Sequence, residues 1–212
     1  MPGALETPVW PETLVNLIGN QDFVLFLGAG LSANAANSRG ETPPRWRELL
    51  EDLTANLITH NSTAGLIRRF IKAKDYLSAA EHLAYFCENN SLLAEFRNRI
   101  VRATDGGDNS NDAFFGGAVY GLISDLNPRI IVTTNYDRIL ERHFVNGFRV
   151  KHFEDSDIAS NIRQGAPVLL KLHGTADTPE KTILTRTDFA RLRRTGGHAL
   201  ETVQALDARC NE

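Results

Sequence analysis

The stretch FVLFLGAGLSANAANSRGETPPRW, residues 23–46, carries the pattern on which the fold turns. Five apolar residues run directly into Gly28-Ala29-Gly30, followed by Leu31 and Ser32. A short, unbroken apolar run ending in glycine reads as a strand buried on both faces, as in a parallel sheet covered by helices. Gly28, Gly30 and Ala33 also meet the G-x-G-x-x-[GA] spacing. In that spacing glycines let the backbone turn sharply and approach a phosphate group at a helix N-terminus. A tight turn without a ligand would be written in the same letters, so the rest of the chain has to decide.

Upstream, residues 11–19 read as a short helix with Leu14, Val15, Leu17 and Ile18 as its apolar positions. Downstream, residues 38–44 form a loop, since Gly40, Pro43 and Pro44 do not continue a helix. From Arg45 the period becomes helical: Trp46, Leu49, Leu50, Leu53, Leu57 and Ile58 recur at spacings of three and four. Residues 64–73, 75–87, 91–103 and 112–126 read as further helices, with a polar glycine-containing loop at 104–111. The strand signal returns at 129–134, at 148–152, at 167–172 and, more weakly, at 181–184. A short helix is expected over 138–144 and a helical tail from Thr187 onward. Strands alternating with helices predict an α/β chain with a Rossmann-like three-layer fold and a parallel sheet. The helices over about 45–126 exceed one crossover and predict a helical insertion or cap within one domain spanning residues 1–212.

Three of these strands end in unusual chemistry: Gly28-Ala29-Gly30-Leu31-Ser32, Thr133-Thr134-Asn135-Tyr136-Asp137 and Lys171-Leu172-His173-Gly174. In open α/β sheets ligands bind beyond the carboxyl ends of strands, so the topology would gather all three along one rim. Asp137 is placed to cap the helix beginning at Arg138. The Asn135 amide is suited to a sugar hydroxyl or a water. His173 leaves an apolar strand and precedes a glycine, and its near-neutral pKa suits a proton acceptor or an orienting group. His60, His82, His143, His152 and His198 lack such a setting and read as structural or exposed.

Composition narrows the function classes. The chain has 212 residues, 42% of them hydrophobic and 23% charged, enough for a substantial core. A net charge of −3 argues against direct nucleic-acid binding. The basic runs at Arg68-Arg69 and at 191–194 read as solvated helix faces. Two distant cysteines, Cys87 and Cys210, make neither a zinc ribbon nor a disulfide framework. No apolar run approaches the roughly 20 residues that span a bilayer, and no signal-peptide pattern opens the chain, so a cytoplasmic location is expected. A P-loop is excluded, since GxxxxGK[ST] occurs nowhere. Glu51 and Asp52 have a dehydrogenase's acidic spacing but fall inside a helical pattern, which argues against hydride transfer.

The three strand-end motifs, in that order, resemble the SIR2-like domain of the sirtuin superfamily. Ile183-Leu184-Thr185 and Thr187-Asp188-Phe189 extend the resemblance, which covers about residues 20–192. It implies an NAD-binding domain in which Gly28, Ala29, Gly30 and Ser32 hold the phosphates and nearby ribose. Asn135 and Asp137 would lie near the nicotinamide ribose, and His173 would take the catalytic histidine position, with Asn135 as its catalytic partner. Deacylating sirtuins carry four zinc-binding cysteines after the histidine and a Pro-Asp-Phe-Arg loop. Here Gly174 is followed by TADTPEKTILTRTDF, and Pro43-Pro44-Arg45-Trp46 stands in the loop region. The resemblance is therefore to the NAD-hydrolysing branch found in bacterial anti-phage defence, without zinc. It implies an oligomer, or a fused or associated sensor domain, as partner.

One departure concerns the C-terminal side. Family members have a further strand ending in a Gly-x-Ser-type motif, and none is legible after Thr187. Three readings fit: a fragment of a longer protein, a site completed by a partner, or a weak NAD site. The functional expectation is an NAD glycohydrolase releasing nicotinamide and ADP-ribose. The alternative is a non-catalytic module that senses NAD or an ADP-ribose derivative.

Overall fold

The structure, a computed structural model, describes residues 9–109, 111–145, 147–195 and 201–202. In chain order its elements are α1 (Glu12–Gly19), β1 (Val24–Leu27), α2 (Ala29–Ser32), β2 (Ala35–Ala36), α3 (Trp46–Leu57), α4 (Asn61–Lys72), α5 (Tyr76–Asn89) and α6 (Leu93–Asp105). There follow β3 (Phe115–Gly116), α7 (Ala118–Leu126), β4 (Ile130–Thr133), α8 (Ile139–His143), β5 (Arg149–His152), α9 (Ile158–Arg163), β6 (Val168–Lys171), a 3₁₀ turn at Pro179–Lys181 and α10 (Arg186–Thr195).

Four strands form a parallel sheet in the order β1-β4-β6-β5. The register sets Leu27 beside Thr133, Thr133 beside Lys171 and Lys171 beside His152. Every strand therefore leaves the sheet at one level. On one face, Tyr120 and Ile123 of α7 and Ile139 and Leu140 of α8 pack on Ile131 and Leu169. On the other, Ile158 of α9 and Leu192 of α10 pack with Val132, Val168 and Leu170. Helices on both sides of a parallel sheet give the three-layer, Rossmann-like α/β fold.

A separate apolar cluster joins α3 to α6. Leu49, Leu50, Leu53 and Leu57 of α3 meet Ile67 and Ile71 of α4, Leu83 and Cys87 of α5, and Phe96 and Ile100 of α6. Cys87 is buried there, and desolvation pushes its thiol up to about 11, so it behaves as a small hydrophobe. Of the helical stretch read over 45–126, α3 to α6 make this cluster, whereas α7 belongs to the sheet's own cover.

Buried charge fastens the helical cluster to the sheet. The fully buried Asp105 carboxylate, at the end of α6, accepts from the Arg138 backbone N–H at 2.6 Å. It also accepts from the guanidinium groups of Arg138 and Arg142, each at 2.7 Å. Burial works to raise its pKa, but the two arginines outweigh it and hold the carboxyl below its ordinary value. Further along α6, Arg97 donates to the Thr182 carbonyl at 2.8 Å and pairs with Asp188 at 3.1 Å.

Three readings of the sequence are corrected here, and one helix was not foreseen. The strand read at 23–27 is not buried on both faces: β1 lies at the sheet edge, and Phe26 is 56% exposed. The helix read over 112–126 begins only at Ala118, because Phe115 and Gly116 pair antiparallel with Ala36 and Ala35. Residues 181–184 form no strand: a 3₁₀ turn opens the segment, Arg97 holds Thr182, and the Leu184 N–H donates to Asp188. Helix α9 escaped the pattern because its apolar positions, Ile158 and Ile162, are set among polar residues. His198 and Cys210 lie outside the described residues.

Among the described residues no helix is long and apolar enough to cross a membrane. Removing Asp105 would take from Arg138 and Arg142 their shared buried carboxylate, leaving Arg138 only the exposed Asp108 and Asp177, and would leave the Arg138 N–H without its acceptor. Asp105→Ala is expected to cost about 3–5 kcal/mol, the usual scale for breaking a buried ion pair, read as a lower denaturant midpoint. A loss below about 1 kcal/mol would contradict this docking role.

Candidate functional site

A cavity of about 1030 Å³ opens along the strand-end rim, and all three motifs line it. Ala29, Gly30 and Ser32 come from the first, Thr134, Asn135, Tyr136 and Asp137 from the second, and His173 from the third. The helical cluster supplies the facing wall, with Pro43, Pro44, Trp46, Tyr76 and Leu77, while Ile183 and Phe189 close the side after His173. One side is thus polar backbone and hydrogen-bonding groups, and the other is mixed, since Arg45, Arg47, Glu48 and Thr104 stand among its apolar residues.

The polar side is tightly connected. The Asn135 amide nitrogen donates to the Gly28 carbonyl at 3.1 Å and to Ser32 Oγ at 2.9 Å. Ser32 Oγ in turn donates to Asp137 Oδ2 at 2.7 Å. Asp137 Oδ1 accepts the Ile139 N–H at 3.1 Å, which satisfies a donor at the start of α8. Helix α8 begins at Ile139 with Arg138 at its N-cap position, so Asp137 is not the N-cap residue read from the sequence; it stands one residue earlier, and its carboxylate holds the Ile139 N–H and Ser32 together. Burial is the largest influence on Asp137 and raises its pKa, against the Ser32 donor and the positive charge of Lys171.

This network fixes the direction of Asn135. The Gly28 carbonyl can only accept, so the nitrogen end of the amide must face it. Both N–H groups are then spent inside the protein. The oxygen end accepts no hydrogen bond from a described residue, and it is the part of Asn135 left for a ligand or a water.

The two glycines of the turn are not demanded by the fold. Gly28 has φ −119°, ordinary extended backbone, and an added Cβ there would meet only Thr134 Oγ1, at 3.9 Å. At Gly30 an added Cβ would meet nothing within 4 Å. Gly30 lines the cavity, and what glycine supplies there is open space, the feature a closely approaching ligand needs. Gly174 is the opposite case. Its φ is +84°, and a Cβ added there would stand 2.9 Å from the Lys181 carbonyl oxygen, so only glycine fits without strain.

His173 stands two residues beyond the end of β6, and its backbone carbonyl accepts the Ile183 N–H at 3.0 Å. Its ring packs edge-on against Phe189, centroids 5.1 Å apart. The ring nitrogens make no hydrogen bond to a described residue. Burial lowers the imidazole pKa, so at neutral pH the ring is uncharged and free to accept a proton. Of the other histidines, His60 and His82 pack on Phe86 and Phe70, and His143 meets Ser124 and Tyr120.

The structure thus brings Ala29, Gly30, Ser32, Asn135, Asp137 and His173 to one cavity, with Gly28 bonded to Asn135 at its edge. Sequence reasoning missed the wall made by Tyr76 and Leu77, because a helical period does not say which neighbour an exposed position faces. It also gave no role to Lys171, whose signal was a charged residue inside an apolar strand.

A cavity at the rim of a parallel α/β sheet, built from three strand ends, lies where Rossmann-like folds place their ligands. Residues 129–211 match the family model of the SIR2-like domain. Over 186 residues, 87% of the chain, it is 25% identical to the NAD(+) hydrolase ThsA of Acinetobacter baumannii (strain 532279). The chain spans 34% of that relative's length.

Two outcomes follow from this geometry. Gly30→Ala should leave folding stability unchanged or up to about 1 kcal/mol higher, as for alanine replacing an unstrained helical glycine, measured by thermal unfolding. The His173 ring, followed by NMR, should titrate with a midpoint below 6.5, its ordinary value. The unfolded chain then takes up the proton first. The resulting stability is present above pH 6.5 and is lost as pH falls through the folded value. A midpoint at or above 6.5 would contradict the ring's burial.

Proposed function

We propose that the chain is an NAD glycohydrolase, cleaving NAD⁺ with water to nicotinamide and ADP-ribose. The observation that carries this reading is the convergence of the glycine turn, Asn135 and His173 on one cavity. The similarity to an NAD(+) hydrolase supports it. We also propose a cytoplasmic role as the effector of a bacterial anti-phage defence system, working as an oligomer or with a sensor domain.

In the reaction the bond between the ribose C1′ and the nicotinamide nitrogen breaks. Its electron pair passes to the ring, whose positive charge it cancels. The leaving group therefore needs no acid, unlike an ordinary glycoside. What remains is to hold the ribose, stabilise oxocarbenium character at C1′ and deliver water. Gly28, Ala29, Gly30 and Ser32 border the space for the phosphates and neighbouring ribose, and Asp137 supports the ribose side through Ser32 and Asn135. The Asn135 oxygen accepts a hydrogen bond from the attacking water or a ribose hydroxyl and so orients it. The uncharged His173 ring takes the proton as oxygen bonds to C1′. Trp46 and Tyr76 on the facing wall cover part of the site, and polar contacts shielded from water are the stronger ones.

One observation favours a second reading, a module that binds NAD or an ADP-ribose derivative without cleaving it. No described residue hydrogen-bonds the His173 ring, so nothing among the described residues fixes its tautomer, as an efficient general base requires. Nicotinamide release separates the two readings. The parent chain is expected to release nicotinamide, and Asn135→Ala and His173→Ala each to lower the rate by about 10²-fold or more. Activity should hold through neutral pH and fall only on the acid side, below the ordinary histidine value of 6.5. NAD binding without nicotinamide release, in oligomeric as well as monomeric samples, would establish the sensor instead.

A further inference from the structure

Lys171 ends β6, two residues before His173, and its side chain is fully buried. A buried ammonium is costly unless it is paired and hydrogen-bonded. Here it donates to the Glu141 carboxylate at 2.5 Å and to the backbone carbonyl of Asp137 at 2.6 Å. The peptide unit that begins with that carbonyl is also held at its other end. The Arg138 N–H donates to Asp105 at 2.6 Å. One charge thus grips the oxygen of the Asp137–Arg138 peptide, and an opposite charge grips its N–H. Hydrogen bonds to ionised groups are the short, strong ones, so this peptide has little freedom to rotate.

We propose that Lys171 is a positioning residue: with Asp105 it clamps the Asp137–Arg138 peptide, and the clamp sets the orientation of the Asn135 amide. The link runs through Asp137. Holding its carbonyl fixes where its carboxylate stands. The carboxylate holds Ser32 Oγ, and Ser32 Oγ accepts from the Asn135 amide. Lys171 does not line the cavity and touches no ligand, so it acts only through this chain of contacts. Its catalytic consequence rests on the glycohydrolase reading, but the orientation of Asn135 can be measured without it.

The test uses the full chain carrying Lys171→Met together with Glu141→Gln, which removes both charges and leaves no carboxylate stranded. The side-chain amide signals of Asn135, identified by their loss in Asn135→Ala, are followed by ¹⁵N NMR and hydrogen exchange. The clamp predicts shifted Asn135 signals and exchange faster by about tenfold or more. The Asn161 amide, bonded to Asp157 on α9, should stay unchanged as an internal reference. Nicotinamide release should show kcat lower by about 10²-fold, the scale for misplacing a reacting group by about 1 Å, with KM little altered. Asn135 signals that keep their position and protection would overturn the proposal, whatever happens to turnover. A parent that releases no nicotinamide would sink the glycohydrolase reading alone, since the Asn135 signals still decide the clamp. If the double variant does not fold, Lys171→Arg keeps the charge but moves the donor off the carbonyl, and it is read in the same way.

Discussion

Leu27, Thr133 and Lys171 stand side by side across three parallel strands, and the site exists because of that row. Parallel pairing offers no local turn to set register, so the alignment rests on helices packing both faces of the sheet. A slip of one residue would send each apolar set to the wrong face and carry Gly28, Asn135 and His173 to different heights. The chemistry of the rim and the burial of the core are therefore one constraint. Ile131, Val132, Leu169 and Leu170, all essentially inaccessible, hold the strands where the three loops can meet.

The second layer of organisation is ionic. Two arginine-centred knots join the helical cluster to the loops beyond the strands, one at Asp105 and one at Arg97 with Asp188. Buried pairs of this kind add little net stability over a well-packed apolar contact, but they tolerate few alternative geometries. Their placement fits that character. Asp105 secures the loop that carries Asn135 and Asp137, and Arg97 secures the segment that brings Ile183 and Phe189 beside His173. Apolar packing sets the size of the cavity, and the knots set which residues face it.

Much of this was legible in the residues. The apolar runs at 129–134 and 167–172 are buried strands because β-branched and leucine side chains suit the interior of a covered sheet. The grouping of the three motifs followed from the general placement of ligand sites beyond strand ends. What was not legible depended on partners distant in sequence. An apolar run reads alike at the centre and at the edge of a sheet, so the exposure of Phe26 could not be read from residues 23–27. Residues 115–116 leave the helical pattern only because Ala35 and Ala36 pair with them, and residues 181–184 lack a strand because Arg97 claims their backbone. Lys171 read as one charged residue inside the strand at 167–172, and only the fold brings Glu141 and the Asp137 carbonyl to its ammonium.

The burial of Cys87 has a practical side. Its thiol sits in the middle of the cluster formed by α3 to α6, fully shielded and protonated at any ordinary pH. Alkylating reagents attack the thiolate, so this position stays silent while the cluster is closed. The rate at which a small reagent modifies it, read by peptide mass to separate it from Cys210, becomes a clock for the opening of the wall that faces the glycine turn. The chain thus carries its own probe of how often that wall lifts, with no label to be engineered.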